Sequence, residues 1–323
     1  MVVMEPVPVI YDSDMDFDDA STLAYLCRAH QRGLIDLRAV TVVDNGIGTP
    51  GRTLTHARTL LRGCGLADVP VGAGTDEWVN EPPPEARASV EIILSDVLGD
   101  ADVPHEPARV TAPALIAATV ERSRQPVTIL ATGPLSNVAA ALDRMGPHAV
   151  DRRLGRVFAM AGAVDVGGNL FGSTTEGFDN TQEVNAWIDP PATARTVGGV
   201  PDERLRLVGL DATNHVPVTD AFVARLAAER DTHEARLVHA IVTHPEVVNL
   251  KELGALYWWD PLAAVSLVTG EGVVFETRTL DVVTTGASAG RTVDVPGGTP
   301  QRVGVSADPP RFEDLFLAGL NGR

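Results

Sequence analysis

The sequence predicts an α/β fold: a mostly parallel central sheet with helices on both faces and a small antiparallel C-terminal addition. Two observations predict it. Short apolar runs alternate with longer helical patterns along most of the chain, as in a parallel sheet whose crossovers are helices. From Val273 onward the pattern changes to β-rich runs broken by Gly and Pro turns.

Val7 to Tyr11 reads as a buried strand, and Asp18 to Gly33 as a helix closed by glycine. Leu37 to Val43 and Pro50 to Gly63 repeat the pair, and Val69 to Gly72 is a short third strand. Further on, Pro113–Arg122 and Leu135–Met145 read as helices, and Val127–Ala131, Val157–Ala161 and Arg204–Leu210 as strands. Helical patterns follow at Asp220–Arg230 and Pro261–Leu267. The segment after Val273 fits either an antiparallel edge or a small lobe. Two stretches, Glu77–Pro107 with its Pro82-Pro83-Pro84 run and Val164–Glu183, read as long irregular loops, of the kind that serve as lids or as plain surface.

The length, 323 residues, allows one large domain or two small ones. Without an internal repeat or low-complexity linker, residues 1–323 are expected to form one. A chain this long builds its core without a staple, so a cation site would serve chemistry rather than folding. The net charge of -17 argues against nucleic acid and anionic membranes as partners. Lys251 is the only lysine. The two cysteines, Cys27 and Cys64, form no CxxC pair. No signal peptide or membrane span is legible, so a cytoplasmic protein is expected.

The densest chemical signal is Asp12-Ser13-Asp14-Met15-Asp16-Phe17-Asp18-Asp19, directly after the first strand. In such sheets ligands sit outside the carboxyl ends of the strands. Five carboxylates this close repel unless a cation or hydrogen bonds offset them. Hard divalent cations need several oxygen ligands, which carboxylates supply. Helix capping accounts for one or two of the five. An EF-hand fails, because Phe17 and Leu23 stand where its glycine and glutamate belong. A haloacid-dehalogenase-type phosphatase, with Asp12 as nucleophile and Asp14 beside it, remains open.

The cluster resembles the N-terminal signature DxDPGxDDA of the nucleoside hydrolases: Asp12, Asp14, Asp18, Asp19 and Ala20 match in register. Met15-Asp16 replaces the Pro-Gly pair. Other similarities run in the family's order: the Thr41–Gly46 segment, Val71-Gly72-Ala73-Gly74, Leu130–Asn137 ("TGPLTN"), Met160–Ala163, and Glu183-Val184-Asn185 with Asp189-Pro190. Gly209–Thr213 and the late Asp260-Pro261-Leu262-Ala263 complete the series, which spans roughly residues 7 to 270.

The resemblance implies the nucleoside hydrolase fold, one calcium ion at the C-terminal edge of the sheet, and hydrolysis of a ribonucleoside's N-glycosidic bond. It implies Asp14, Asp19, the Thr132 carbonyl and Asp260 as cation ligands. Asp14 would also serve as the base, with Asp12 supporting the cluster. Asp18 would hold the ribose 2′-hydroxyl, and Asn45, Asn169, Glu183 and Asn185 the other ribose contacts. The family also implies a homodimer or homotetramer.

Many relatives carry a histidine just before the late aspartate and another shortly after the "PVxxG" segment. Here those places hold Trp258-Trp259 and Thr75-Asp76-Glu77-Trp78. Purine-specific members stack the base between two tryptophans, so Trp78 and Trp259 are expected to sandwich a purine. His215, His239 and His244 remain candidate acids. Three functions are therefore open: a calcium-dependent, purine-preferring nucleoside hydrolase, a magnesium-dependent phosphatase, and a nucleoside- or sugar-binding protein without turnover.

Overall fold

The computed structural model describes residues 5–170 and 177–323. Residues 171–176, inside the Val164–Glu183 stretch, and residues 1–4 at the start of the N-terminal segment lie outside the described residues.

The strands are β1 (Val7–Ser13), β2 (Ile35–Val42), β3 (Val71–Ala73), β4 (Val127–Ala131), β5 (Leu154–Ala159), β6 (Leu205–Leu207), β7 (Val273–Val282), β8 (Thr292–Asp294) and β9 (Thr299–Ala307). They form one nine-stranded sheet in the order β3-β2-β1-β4-β5-β6-β9-β7-β8. The pairings from β3 to β9 are parallel, while β7 runs antiparallel to β9 and β8. The segment after Val273 is thus an antiparallel edge of the main sheet, joined to it through β9 beside β6.

Successive residues of β1 point to opposite faces, and both faces are covered. Val9 and Tyr11 enter one apolar cluster with the helix Phe17–Gln31, while Ile10 enters the other with Ile116, Val120 and Leu142. A strand buried on both sides has no polar face, which is why β1 reads as an unbroken apolar run. The helix Phe17–Gln31 is itself buried along most of its length. It packs against the helices His233–Val242, Trp259–Thr269 and Pro309–Asn321.

The Glu77–Pro107 stretch is not an irregular loop throughout: Pro84–Leu98 is a 15-residue helix. Proline occupies its first turn, where no N–H partner is needed. Val90, Ile93, Leu94 and Val97 carry the i, i+3, i+4, i+7 spacing of a packed helix face. The proline run hid this element. Among the described residues no helix is long and apolar enough to cross a membrane.

The chain leaves β1 for β2 and β3 on one side, and continues from β4 to β5 and β6 on the other. The order therefore reverses between β1 and β4. At such a switch point the two crossovers diverge and open a crevice at the carboxyl ends of the strands. The aspartate cluster follows β1, and Thr132 follows β4.

Candidate active site

The turn after β1 determines where the carboxylates point. Met15 is buried and has φ of 52°, in the left-handed region. A proline, fixed near φ of about -65°, could not adopt this conformation. The Pro-Gly turn of the signature motif therefore cannot lie on this backbone unchanged.

Asp16, which replaces the glycine, is the N-cap of the helix Phe17–Gln31 and forms a capping box with Asp19. The Asp16 N–H donates to Asp19 Oδ2 at 3.0 Å. Such a cap contributes about 1 kcal/mol to helix stability. Asp16 is thus accounted for by helix initiation, and it also borders the cavity described below.

Asp14 is gripped by glycines. A Cβ on Gly46 would stand 2.0 Å from Asp14 Oδ2, and one on Gly133 would stand 2.9 Å from Asp14 Cβ. The Ile47 N–H donates to Asp14 Oδ2 at 2.6 Å. The hydroxyls of Tyr11 and Thr132 converge on Asp19 Oδ1, at 2.8 and 2.5 Å. Trp258 sits in an aromatic cluster with Phe222, Phe312 and Phe316, and so anchors the helix that begins at Trp259 and carries Asp260.

Asp18, Asp19 and Asp260 each offer a carboxylate oxygen within 4.8 Å of the others. Burial, and then the neighbouring charges, push Asp14, Asp18 and Asp260 well above the ordinary carboxylate range. Asp16 is pushed up to about 7 by burial and by Asp19. The cluster holds much negative charge with little to offset it, and its donors are hard oxygens of the kind calcium and magnesium take.

These residues border a cavity of about 460 Å³. Asp14, Asp18, Asp19, Thr132 and Asp260 all line it, as do Met160, Asn169, Glu183 and Asn185. The Thr132 carbonyl accepts Asn185 Nδ2 at 2.8 Å, which leaves it one lone pair. Glu183 caps the helix Val184–Ile188 and accepts the N–H groups of Asn185, Ala186 and Gly162. Asn169 Oδ1 accepts the Val184 N–H at 2.9 Å.

Three of the residues singled out in the sequence stand elsewhere. Asn45 does not line the cavity, its amide donating to the Glu77 carbonyl and to Ser136 at 2.7 and 2.9 Å. Asp12 is also outside the cavity, its Oδ1 taken by Thr41 and Asn137 at 2.6 and 2.8 Å. Burial pushes Asp12 up to about 7. Trp78 is 38% exposed and lies under the Arg87 guanidinium, 4.8 Å from the ring centroid. Trp259 alone of the two tryptophans borders the cavity.

The structure also supplies a wall that the sequence reading did not assign to the site. Glu85 and Ser89 come from the helix Pro84–Leu98, and Glu246 and Asn249 from the helix Pro245–Glu252. No lysine, arginine or histidine lines the cavity among the described residues. His244 caps its helix through its ring and faces Asp96, at 3.4 Å.

A family model described as "Inosine-uridine preferring nucleoside hydrolase" matches residues 9–314. The chain belongs to this family. A pyrimidine-specific ribonucleoside hydrolase, RihA, of Shewanella oneidensis is 31% identical over 232 residues, 68% of this chain. The match spans 64% of that relative's length. RihA of Citrobacter koseri is 30% identical, over 68% of this chain and 66% of its own.

Among solved structures, an inosine-uridine preferring nucleoside hydrolase from Bacillus anthracis superposes with a TM-score of 0.84 at 24% identity, covering 98% of this chain and 100% of its own. A purine-preferring ribonucleoside hydrolase from Gardnerella vaginalis gives 0.76 at 21% identity, with 98% of each chain covered. At these identities the superpositions bear on the fold, which they share with this chain.

Proposed function

We propose that the chain hydrolyses the N-glycosidic bond of ribonucleosides, with a calcium ion held by Asp14, Asp19, the Thr132 carbonyl and Asp260. The observation that carries this reading is the convergence of buried carboxylates, without a basic side chain among them, on the wall of a cavity at the switch point of the sheet. The donors fit the ion: carboxylate and carbonyl oxygens are the ligands calcium prefers. When bound, the cation makes a water more acidic and holds vicinal hydroxyls.

Asp14 takes the proton of the attacking water. The Ile47 N–H and the surrounding glycines fix its position. Asp18 accepts from the ribose 2′-hydroxyl, while Asn169, Glu183 and Asn185 hold the remaining hydroxyls. Asn45 contributes by tying the Glu77 segment to Ser136. The attack proceeds through an oxocarbenium-like transition state, as in other glycoside hydrolyses.

The phosphatase reading has less support, because Asp12 does not border the cavity and no lysine lines it among the described residues. Purine preference rests on Trp259 alone, since Trp78 is covered by Arg87, and curated relatives are named pyrimidine-specific. The reading includes a cytoplasmic location and a homodimer or homotetramer.

Incubating inosine and uridine with the protein, with calcium and with a chelator, tests the proposal. Free base released with calcium and not with chelator is the expected result. No free base from either nucleoside under any metal condition overturns it.

A further inference from the structure

A neutral nucleoside loses its base as an anion, so the departing nitrogen needs a proton. A positioned general acid is worth about 10²- to 10⁴-fold in rate. The cavity wall offers no histidine, lysine, arginine or tyrosine among the described residues, and residues 1–4 and 171–176 contain none.

Besides the aspartate cluster, the lining adds two carboxylates and an indole to apolar side chains such as Val90, Ile93 and Leu250. Glu85 and Glu246 come from two helices, and Ser89 Oγ donates to Glu246 Oε2 at 3.2 Å. Asn249 lines the cavity as well. Trp259 borders the same space, and its indole N–H is buried without a partner, so the ring presents carbon to the cavity. The Arg87 guanidinium turns the other way, toward the Gly46 carbonyl and the Trp78 ring. A departing anion would meet carboxylates there. A cationic ring would meet opposite charge and an aromatic face.

We propose that the preferred substrate is a ribosyl compound whose aglycone is already a cationic aromatic ring, an N-ribosylpyridinium or an N7-alkylated purine ribonucleoside. This rests on the hydrolase reading above and names its substrate class. The C1′–N bond breaks with its electron pair going to the ring nitrogen. The aglycone leaves neutral and takes no proton. Water adds its oxygen to C1′ and gives one proton to Asp14, which passes it to solvent. Substrate cation and water thus become ribose, a neutral heteroaromatic and one proton.

The test compares kcat/KM, with calcium present, for N-ribosylpyridinium-3-carboxamide, 7-methylguanosine, uridine and inosine. The two cationic arms separate a monocyclic from a bicyclic aglycone. The expected result is a cation advantage of tenfold or more, of the order of a hundredfold, the factor a missing general acid would otherwise supply. The variant carrying Glu85→Gln and Glu246→Gln, with an unchanged melting temperature, should raise KM for the better cation about fivefold more than it raises that for uridine. Cleavage of uridine or inosine with a cation advantage below tenfold overturns the inference and leaves the hydrolase reading standing. So does a double variant that changes both substrates alike. If none of the four compounds is cleaved, both fall.

Discussion

Asp260→Asn should move stability in opposite directions with and without a cation. An asparagine has nearly the shape of aspartate but no charge. Asp260 presents its carboxylate within 4.8 Å of those of Asp18 and Asp19. At an effective dielectric constant of about 20, each like-charge pair at that distance costs about 3.5 kcal/mol. Against this, Asp260 lies in the first turn of the helix Trp259–Thr269, where a negative charge gains about 0.3–1 kcal/mol from the helix dipole. Repulsion wins.

Two pairs set an upper bound, because burial and the neighbouring charges already push Asp260 well above the ordinary carboxylate range and relieve part of the strain by protonation. A net gain of about 1.5–3.5 kcal/mol is expected in chelator. For 323 residues the unfolding entropy is about 0.7 kcal/mol per kelvin, so the melting temperature rises by about 2–5 °C. The unsubstituted chain in calcium at a thousand times its Kd gains about 4.1 kcal/mol, or about 6 °C, over chelator. The variant should lose nearly all of that shift. Differential scanning calorimetry in chelator and in calcium reads both effects. A variant less stable than the unsubstituted chain in chelator, or one that keeps the calcium shift, refutes the reasoning.

Two further outcomes follow from the packing. Gly46→Ala places a Cβ 2.0 Å from Asp14 Oδ2, so the carboxylate must move; base release should fall at least about 10²-fold, while circular dichroism shows the fold retained. The Glu91 carboxyl is raised by burial, but hydrogen bonds from Ser95, His56 and Arg52, with the His56 charge, outweigh that and leave it below its ordinary value. A depressed folded pKa contributes stability above the unfolded value of about 4.3 that is lost as pH falls through the folded one. The urea midpoint of Glu91→Gln should therefore lie below that of the unsubstituted chain near neutral pH, with the gap closing below about pH 4. A gap that is constant with pH would contradict the assigned contacts.

The sequence by itself determined the sheet and the acidic end of the site, because both depend on local order. Buried parallel strands must be apolar on two faces, so β1, β2, β4 and β5 are legible as short apolar runs. Asp14, Asp18 and Asp19 follow the first of these within a few residues, and a strand's carboxyl end is where such sheets bind ligands. The ordered series of short motifs then linked Thr132 and Asp260 to them, which spacing alone could not.

What needed the tertiary structure was set by distant contacts and by backbone dihedrals. Asp16 was only another acid in a run until the left-handed Met15 and the helix start showed it as a cap. Asn45 and Asn169 look alike in sequence, yet only Asn169 borders the cavity, while the Asn45 amide is taken by the Glu77 carbonyl and Ser136. Trp78 and Trp259 were alike too, but only Trp259 borders the cavity, while Trp78 is half-exposed with the Arg87 guanidinium on its ring. The acidic wall of Glu85 and Glu246 comes from two helices 157 residues apart at the Ser89–Glu246 contact. No local pattern records such a meeting, because it is fixed by how the helices pack over the sheet.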